Sequence, residues 1–312
     1  MSANSKLKLK LKLILLLTLL PVTACVLGAE DPVTFPTYKE GEASFPSAVT
    51  LSPVFSGSGN YGLIASGDTL YHMELRHGRI HGKTAAGGQI TAVEAGTGLL
   101  SFAVSGDQLL RIDGFEVTVS VTMPAEGIFL AVCDDQPVVL LEDGSLVLYD
   151  CTDLSIITVH TLVNSEVTCI EGFKGMVTAG YADGTMITFS IPSFAELASE
   201  KVNGSLLFMS GAGPDNLIFS TDEWNEVAVC SPSDLMIQIM FTFPETPSWA
   251  AADSEVSCVY AVCSSFGIQV CLENGEIAWK TNEYGENPLV VLADDCEYAL
   301  IASGNSVTLL AK

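Results

Sequence analysis

Residues 142–151, EDGSLVLYDC, contain the pattern that decides the fold of this chain. Asp143 and Gly144 form a turn dipeptide, and four apolar residues follow without interruption at 146–149. A strand with one face in water would alternate apolar and polar residues. The unbroken run therefore predicts a short strand that is buried on both faces.

The same arrangement of a turn and an apolar strand recurs along the chain. The other copies are SGDTLYHMEL (66–75), SGDQLLRIDG (105–114), ADGTMITFSI (182–191) and, more weakly, EWNEVAVCSP (223–232), SFGIQVCLEN (265–274) and SGNSVTLLAK (303–312). The first aliphatic residue of each copy marks one unit, at Leu70, Leu109, Leu146, Met186, Val227, Ile268 and Val307. Successive marks are 37 to 41 residues apart, 237 residues over six intervals or 39.5 on average. This period is typical of the four-stranded blade of a β-propeller, roughly 40–45 residues.

The number of blades follows from the length of the chain. Seven units of 39.5 residues need about 277 residues, and residues 31–312 supply 282. We therefore predict an all-β fold, a seven-bladed β-propeller with four antiparallel strands in each blade. In the second unit we expect strands at 90–96, 99–105, 108–113 and 115–123, from the channel outward.

The last unit ends at Lys312, directly after its third strand, so its fourth strand has to come from elsewhere. Residues 31–39, DPVTFPTYK, precede the first unit, and we predict that they supply this strand. Pro32 and Pro36 suit an outer edge strand better than a central one. An N-terminal strand in this position would close the ring and cover an exposed edge.

The first 24 residues predict a signal peptide of the lipoprotein type. Lysines alternate with leucines up to Lys12, an apolar run follows at 13–22, and the segment ends in Val-Thr-Ala before Cys25. The run is too short to span a bilayer, and its end resembles the lipobox of bacterial lipoproteins, in which Cys25 would carry the lipid. We expect a signal peptide at 1–24, a lipid-anchored linker at 25–30 and the propeller at 31–312. Cleavage after Ala24 or Ala29, with Cys25 incidental, is the alternative.

The rest of the chain is strongly acidic. Four of the 13 basic residues lie in the leader, which leaves 37 acidic against nine basic residues, a net charge of −28. Such a surface repels nucleic-acid backbones and anionic lipid head groups, so nucleic-acid binding is excluded.

Eight further cysteines follow Cys25, and most lie within apolar, strand-like runs. They are Cys133, Cys151, Cys169, Cys230, Cys258, Cys263, Cys271 and Cys296. No C-x-x-C pair occurs, so a zinc or thioredoxin-type site has no support. We expect mostly buried structural thiols, and one or two disulfides remain open because export permits them.

Three short segments resemble repeats of known propellers. EDGSLVLYD and ADGTMITFS resemble the third strand of WD40-family repeats, and ENGEIAWK (273–280) resembles the outer strand of pyrroloquinoline-quinone-type repeats. The chain departs from both patterns, since it has no G-H or W-D dipeptides and a single copy of the tryptophan motif. The resemblance implies the β-propeller superfamily and no specific member.

Three of the four histidines fall in one hairpin, YHMELRHGRIH (71–81). A two-residue turn at His77-Gly78 would place Glu74 opposite His81, and with His72 these side chains could bind Zn²⁺ or Cu²⁺. The alternative is packing between blades, because other units carry ordinary packing residues at the position of His72.

Other candidate sites have simpler interpretations. Asp134-Asp135 and Asp294-Asp295 stand at turns, where Asp is favoured for local hydrogen bonds, and weak Ca²⁺ binding is the alternative. SGSGNYG (56–62) lacks the context of a phosphate loop. No G-x-S-x-G motif occurs, and His160 has no recognisable catalytic partner.

These observations favour a non-catalytic function. We expect a monomeric, exported and membrane-tethered propeller without a cofactor, which acts as a binding or scaffold protein for a protein partner at the cell envelope. One alternative is a propeller enzyme or cofactor-binding protein, hydrolase or quinoprotein-like, with Ca²⁺ or Zn²⁺ in its channel. Another is a carbohydrate-binding surface protein that uses Trp224 and Trp249.

The lipid anchor predicts the behaviour of a Cys25→Ser variant. Because serine has no thiol to acylate, the variant should leave the membrane fraction and appear as soluble or unprocessed protein. Fractionation with an immunoblot measures this. A Cys25→Ser protein that stays membrane-bound and correctly processed would contradict the lipoprotein assignment.

Overall fold

A computed structural model describes residues 35–162, 166–285 and 287–312, and the predicted signal peptide and Cys25 lie outside the described residues. The described part contains 28 strands. None of its segments is a helix long and apolar enough to cross a membrane. The strands are β1 (Tyr38–Ser44), β2 (Val54–Phe55), β3 (Tyr61–Ser66), β4 (Thr69–Glu74), β5 (Arg79–Ala85), β6 (Ala92–Ala95), β7 (Leu100–Ser105), β8 (Gln108–Asp113), β9 (Glu116–Thr122), β10 (Gly127–Cys133), β11 (Gln136–Leu141), β12 (Ser145–Tyr149), β13 (Ile156–Thr161), β14 (Val167–Phe173), β15 (Met176–Tyr181), β16 (Thr185–Ser190), β17 (Glu196–Lys201), β18 (Leu206–Ala212), β19 (Asn216–Thr221), β20 (Glu226–Cys230), β21 (Ile237–Thr242), β22 (Pro247–Ala252), β23 (Cys258–Cys263), β24 (Gly267–Leu272), β25 (Ile277–Thr281), β26 (Leu289–Leu292), β27 (Tyr298–Ser303) and β28 (Ser306–Ala311).

The strands form seven sheets of four antiparallel strands each, so the prediction of a seven-bladed propeller is confirmed. Blades 1 to 6 are β2–β5, β6–β9, β10–β13, β14–β17, β18–β21 and β22–β25, and blade 7 is β26–β28 with β1. The first strands contact one another in order around the ring, and β2 contacts β26 to complete it. The strands expected in the second unit match β6 to β9 to within two residues.

The residues that marked the repeat occupy one position in all seven blades. Each of them, from Leu70 to Val307, is the second residue of its blade's third strand, and each is fully buried. The Asp-Gly turn sets the start of this strand in blades 3 and 4. Gly144 and Gly184 both have φ of 83°, which favours glycine. Asp143 and Asp183 each accept a hydrogen bond from the backbone N–H two residues on, at 2.9 and 3.0 Å.

The hydrophobic core lies in the seams between blades. It divides into seven clusters, and each cluster draws its side chains from two neighbouring blades. The seam between blades 7 and 1, for example, packs Ile64 and Met73 against Leu300 and Val307. Both faces of a blade are therefore covered, which explains why the third strands do not alternate.

The ring closes through an N-terminal strand, as predicted, although the strand lies further along the chain than expected. β1 pairs antiparallel with β28, from Tyr38 opposite Ala311 to Ser44 opposite Ser306. The predicted bounds of 31–39 are therefore wrong at the C-terminal end, and 31–34 lie outside the described residues. Pro36 lies before the strand, where its missing backbone N–H does not interrupt the hydrogen bonds between β1 and β28. Its carbonyl instead accepts a 2.6 Å hydrogen bond from the hydroxyl of Tyr260 in blade 6.

Each outermost strand carries a β-bulge at the same place. The extra residues, which lie between shifted pairs, are Glu40, His81, Thr118, Ile157, Leu197, Gln238 and Ala278. All seven are exposed. A bulge on an edge strand twists the edge and disrupts its row of hydrogen-bonding groups, so it discourages pairing with a second chain.

Closure of the ring predicts different effects for two proline substitutions in β1. Phe45 N–H donates to Asn305 C=O at 2.7 Å. In an antiparallel ladder only alternate residues form hydrogen bonds with the partner strand. The N–H of Ala43 therefore points toward Val307 on β28, whereas the N–H of Glu42 points away from β28. Ala43→Pro should lower the free energy of unfolding by about 1–3 kcal/mol more than Glu42→Pro, because it leaves a carbonyl of β28 unpaired. Urea denaturation of both variants measures this. Equal losses would show that the β1–β28 ladder does not hold the ring.

The central channel as candidate functional site

The channel along the ring axis is a large concave site. Its cavity has a volume of about 670 Å³ and is lined by the first strands of all seven blades and the adjoining turns. The pairing of each first strand with its second strand identifies one equivalent position per blade, at the same height along the ring axis. This position is occupied by Val54, Glu94, Ala131, Glu171, Ser210, Ala251 and Val291. Two carboxyl groups thus stand at a level that is otherwise apolar or small.

Glu94 and Glu171 come from blades 2 and 4, on either side of blade 3. Both are half-buried, because they line the channel yet are closely surrounded by protein. Burial raises the pKa of each carboxyl, and the charge of Glu171 raises the pKa of Glu94 further. For Glu171 the pKa rises to about 8, with a backbone hydrogen bond at Gly211 opposing the shift. The pair therefore favours neutral carboxyls near neutral pH.

No Lys, Arg or His is among the described residues that line the cavity. The other titratable side chains there include Asp294 and Asp295, at the far end of the first strand of blade 7. Burial, followed by the charge of Asp295, raises the pKa of Asp294. A neutral pair of carboxyls can donate and accept hydrogen bonds, and an ionised pair attracts a cation. These are the two roles that the site can fill chemically.

One mouth of the channel is shaped by a second set of bulges. Blades 3 to 6 each carry an extra residue at the second position of their first strand: Ile128, Thr168, Leu207 and Ser248. The bulge re-aims that side chain out of the regular pattern. Ile128 and Leu207 consequently line the cavity and yet remain 43% and 42% exposed.

The structure does not assemble the histidine hairpin in the predicted way. The turn spans four residues, 75–78, and His81 occupies a bulge, so Glu74 stands opposite Arg79. The expected two-residue turn is therefore wrong, and Glu74 forms a 3.2 Å ion pair with Arg79.

His72 and His81 come together around an aromatic ring of the next blade. Their rings lie 4.8 and 5.4 Å from the ring of Phe115. His72 is buried and lies 3.4 Å from the Thr84 hydroxyl, and burial, followed by the charge of His81, lowers its pKa to about 4. Among the described residues no group of three or more His, Cys, Asp or Glu side chains is placed to hold a metal ion. The geometry thus favours the packing interpretation, and metal binding at His72, Glu74 and His81 stays a prediction.

The acidic pairs take part in turns. Asp134 and Asp135 both have positive φ, and the carboxylate of Asp135 accepts hydrogen bonds from the N–H and hydroxyl of Thr97 in blade 2 at 2.6 and 2.7 Å. Asp295 accepts a hydrogen bond from Glu297 N–H at 3.0 Å. These contacts agree with the interpretation of both pairs as turn-forming residues.

The aromatic side chains of His160, Trp224 and Trp249 are all partly buried within the protein. His160 stacks on Phe194 at 5.6 Å from blade 3 to blade 4. Trp249 is half-buried, and its indole N–H donates to Val290 C=O at 2.7 Å. Trp224 is half-buried as well. Neither tryptophan is fully exposed, and carbohydrate binding through Trp224 and Trp249 stays a prediction.

Glu94 and Glu171 are not among the site residues that the sequence predicts. Each is the one acidic residue in an otherwise apolar or small first-strand segment, in ITAVEAG (90–96) and TCIEGF (168–173). The signal available in the sequence was a charged residue within a strand that is predicted to line the channel. Their pairing across blade 3 was not readable, because the two positions are 77 residues apart in the chain (171 − 94).

The raised pKa of Glu171 predicts how stability depends on pH. Glu171 holds a proton in the folded state up to about pH 8 and releases it near its ordinary value of 4.5 when unfolded. The free energy of unfolding should therefore fall as pH rises through this range, by about 1.4 kcal/mol per pH unit for one proton. Between pH 6.5 and 8 the loss from Glu171 should be about 2 kcal/mol, and His72, whose ordinary pKa is 6.5, should oppose it by roughly 0.4 kcal/mol in the wild-type protein and in both variants alike.

Glu171→Gln should remove much of this loss, and Glu166→Gln, a change at an exposed residue, should retain it. Urea denaturation at pH 6.5 and pH 8 makes the comparison. A parallel pH dependence of the wild-type protein and Glu171→Gln would show that Glu171 has an ordinary pKa.

The comparisons with known proteins concern the fold. No protein-family model matches the chain, and no curated protein matches it. Among solved structures it is similar to the β-propeller domain of Cps50 (Swd1) from Myceliophteria thermophila, with 13% sequence identity and a TM-score of 0.72, over 86% of this chain and 98% of that one. In all, 1789 solved chains match, so the fold by itself does not select a partner. At this identity the likeness shows architecture alone: the chain has the fold of a seven-bladed β-propeller.

Proposed function

We propose that this protein is a membrane-tethered, non-catalytic scaffold that binds a protein partner at the cell envelope. WD40-like propellers commonly bind protein partners. The observation that carries the proposal is the channel mouth formed by the bulges of blades 3 to 6. Here Ile128 and Leu207 form an exposed apolar centre.

Carboxylates surround this centre. The mouth lies on the face formed by the connections from second to third strands and from each fourth strand to the next blade, which we call the loop face. Its described connections contain eleven acidic residues and no Lys or Arg: Asp68, Asp107, Glu126, Glu142, Asp143, Glu166, Asp183, Asp222, Glu223, Glu245 and Glu283. An apolar centre within a polar rim is the common anatomy of protein interfaces. The charge favours a partner with a basic segment.

The negative charge of the propeller also bears on how the protein would be attached to a membrane. A surface with a net charge of −28 is repelled by anionic lipid head groups, so the surface of the propeller does not hold it at a membrane. A lipid on Cys25 would supply the attachment and leave the loop face available. Lipidation of Cys25 remains part of the proposal, and the Cys25→Ser variant tests it.

Site-specific photo-crosslinking in intact cells tests the binding face. A photoreactive phenylalanine analogue at Ile128 or Leu207 should give the same discrete protein adduct, whereas Leu99, which is 40% exposed in a turn at the opposite end, serves as the matched control. Leu207→Asp should reduce the adduct formed from position 128 by about 10-fold, and Leu99→Asp should not. Salt should weaken the isolated complex, because the contacts include exposed charges.

Two results would contradict this proposal. Adducts from Leu99 alone would move the interface to the other face, and a Leu207→Asp protein that retains full cross-linking would remove the channel mouth from it. The rival function, an enzyme or cofactor-binding protein, is favoured by the carboxyl pair of Glu94 and Glu171. Stoichiometric bound metal in the purified protein, with hydrolysis of lactones or phosphoesters that a chelator abolishes, would establish that rival instead.

A further inference from the structure

The seam between blades 6 and 7 brings two cysteines into contact. The Sγ atoms of Cys258 and Cys296 lie 3.6 Å apart, and this is the one cysteine pair in such contact among the described residues. Cys258 is the first residue of β23 in blade 6. Cys296 lies in the turn between β26 and β27 of blade 7. Both side chains are buried and belong to the hydrophobic cluster of this seam.

The backbone around the two thiols is fixed from both sides. The buried carboxylate of Asp253 accepts hydrogen bonds from Cys258 N–H at 3.0 Å and from the Ser257 hydroxyl at 2.8 Å. Ser254, in the same turn, donates to Asp294 C=O through its hydroxyl at 2.8 Å and through its N–H at 3.2 Å. The turn that precedes Cys258 and the turn that contains Cys296 are thus bonded directly to each other, which holds the sulfur atoms together.

Cys296 occupies a backbone position that a cysteine adopts at a cost. Its φ is 56°, in the left-handed region, and the corresponding turns have glycine at positive φ in blades 1, 2, 4 and 5 but Asp134, Asp135 and Val256 in blades 3 and 6. Glycine would be the unstrained choice for the backbone alone. The contact with Cys258 distinguishes Cys296 from the non-glycine residues in the corresponding turns of blades 3 and 6.

We propose that Cys258 and Cys296 are an oxidation site, at which a disulfide joins blade 6 to blade 7 in the exported protein. The inference depends on the export that the proposed function requires, because disulfides persist in oxidising compartments. The co-reactant is a disulfide donor, such as an exported dithiol oxidase or oxidised glutathione. The bond would join the blade that is completed by β1 to its neighbour, within the seam where Phe35 and Pro36 contact Tyr260.

The chemistry proceeds in two exchanges. The thiolate of Cys296 attacks one sulfur of the donor, which forms a mixed disulfide and releases the donor's other sulfur as a thiolate. Cys258 then loses its proton and attacks the sulfur of Cys296, which forms the protein disulfide and releases the second donor sulfur. Two electrons pass to the donor, and the two protons lost by the cysteines balance the two donor thiols formed. The hydrogen bond from Cys258 lowers the pKa of Cys296, and this supports Cys296 as the attacking group.

Peptide mapping of the purified mature protein tests the proposal without any variant. The reduced protein is folded in a buffer of reduced and oxidised glutathione, free thiols are alkylated, and a digest that cuts after Tyr260 separates Cys258 from Cys263. We expect a linked peptide pair that contains Cys258 and Cys296. Alkylation of both cysteines, or linkage of either to another cysteine, would overturn the proposal. Localisation of the Cys25→Ser variant does not affect this result, so the two proposals fail separately.

Thermal unfolding shows whether the bond stabilises the seam. The bond closes a loop of 38 residues (296 − 258), and the oxidised wild-type protein should unfold on the order of 10 °C above the reduced form. Cys258→Ala and Cys296→Ala should lose this difference. Cys230→Ala, a change at a buried cysteine in another seam, should retain it. A difference that survives in Cys296→Ala would show that oxidation acts at another site.

Discussion

The ladder between β1 and β28 is the contact on which the rest of the ring depends. Every hydrophobic cluster among the described residues is shared by two blades, so within this part of the chain no blade covers its own apolar faces. Seven seams exist because the ring is closed, and an open ring would expose two blade faces at once. The strand that closes the ring comes from one end of the described chain and its partner from the other, so a local change at β1 affects the whole ring.

The same closed arrangement decides what the surface offers to a partner. Because the cores lie in the seams, the faces of the blades are hidden and only three kinds of surface remain: the outer strands, the two loop-bearing ends and the channel. Bulges interrupt every outer strand. The ends carry most of the acidic turns, and the bulges of blades 3 to 6 leave Ile128 and Leu207 exposed at one channel mouth. The exposed apolar side chains of the channel mouth and the carboxyl groups of the channel are therefore concentrated along the ring axis.

Glu94 and Glu171 show how the ring gives ordinary residues unusual properties. Each follows apolar residues in its own first strand, and neither has a recognisable motif around it. The propeller places both in the channel, where burial raises their pKa values. Cys258 and Cys296 are a second case, since the seam brings into contact two sulfur atoms from different blades. In both cases the two side chains come from different blades, and the closed ring brings them together.

The period of the apolar strands was readable in the sequence because each blade needs the same buried third strand, and its marks from Leu70 to Val307 are buried at one equivalent position. Blade number and closure by an N-terminal strand followed from length and from the missing fourth strand.

The bounds of β1, the bulge at His81 and the partner of Glu74 were decided by tertiary structure, because bulges shift the register without changing the pattern of residues. Contacts between blades depend on side chains about 40 residues apart. Local pattern carries no information on such contacts, and the closed ring alone brings them together.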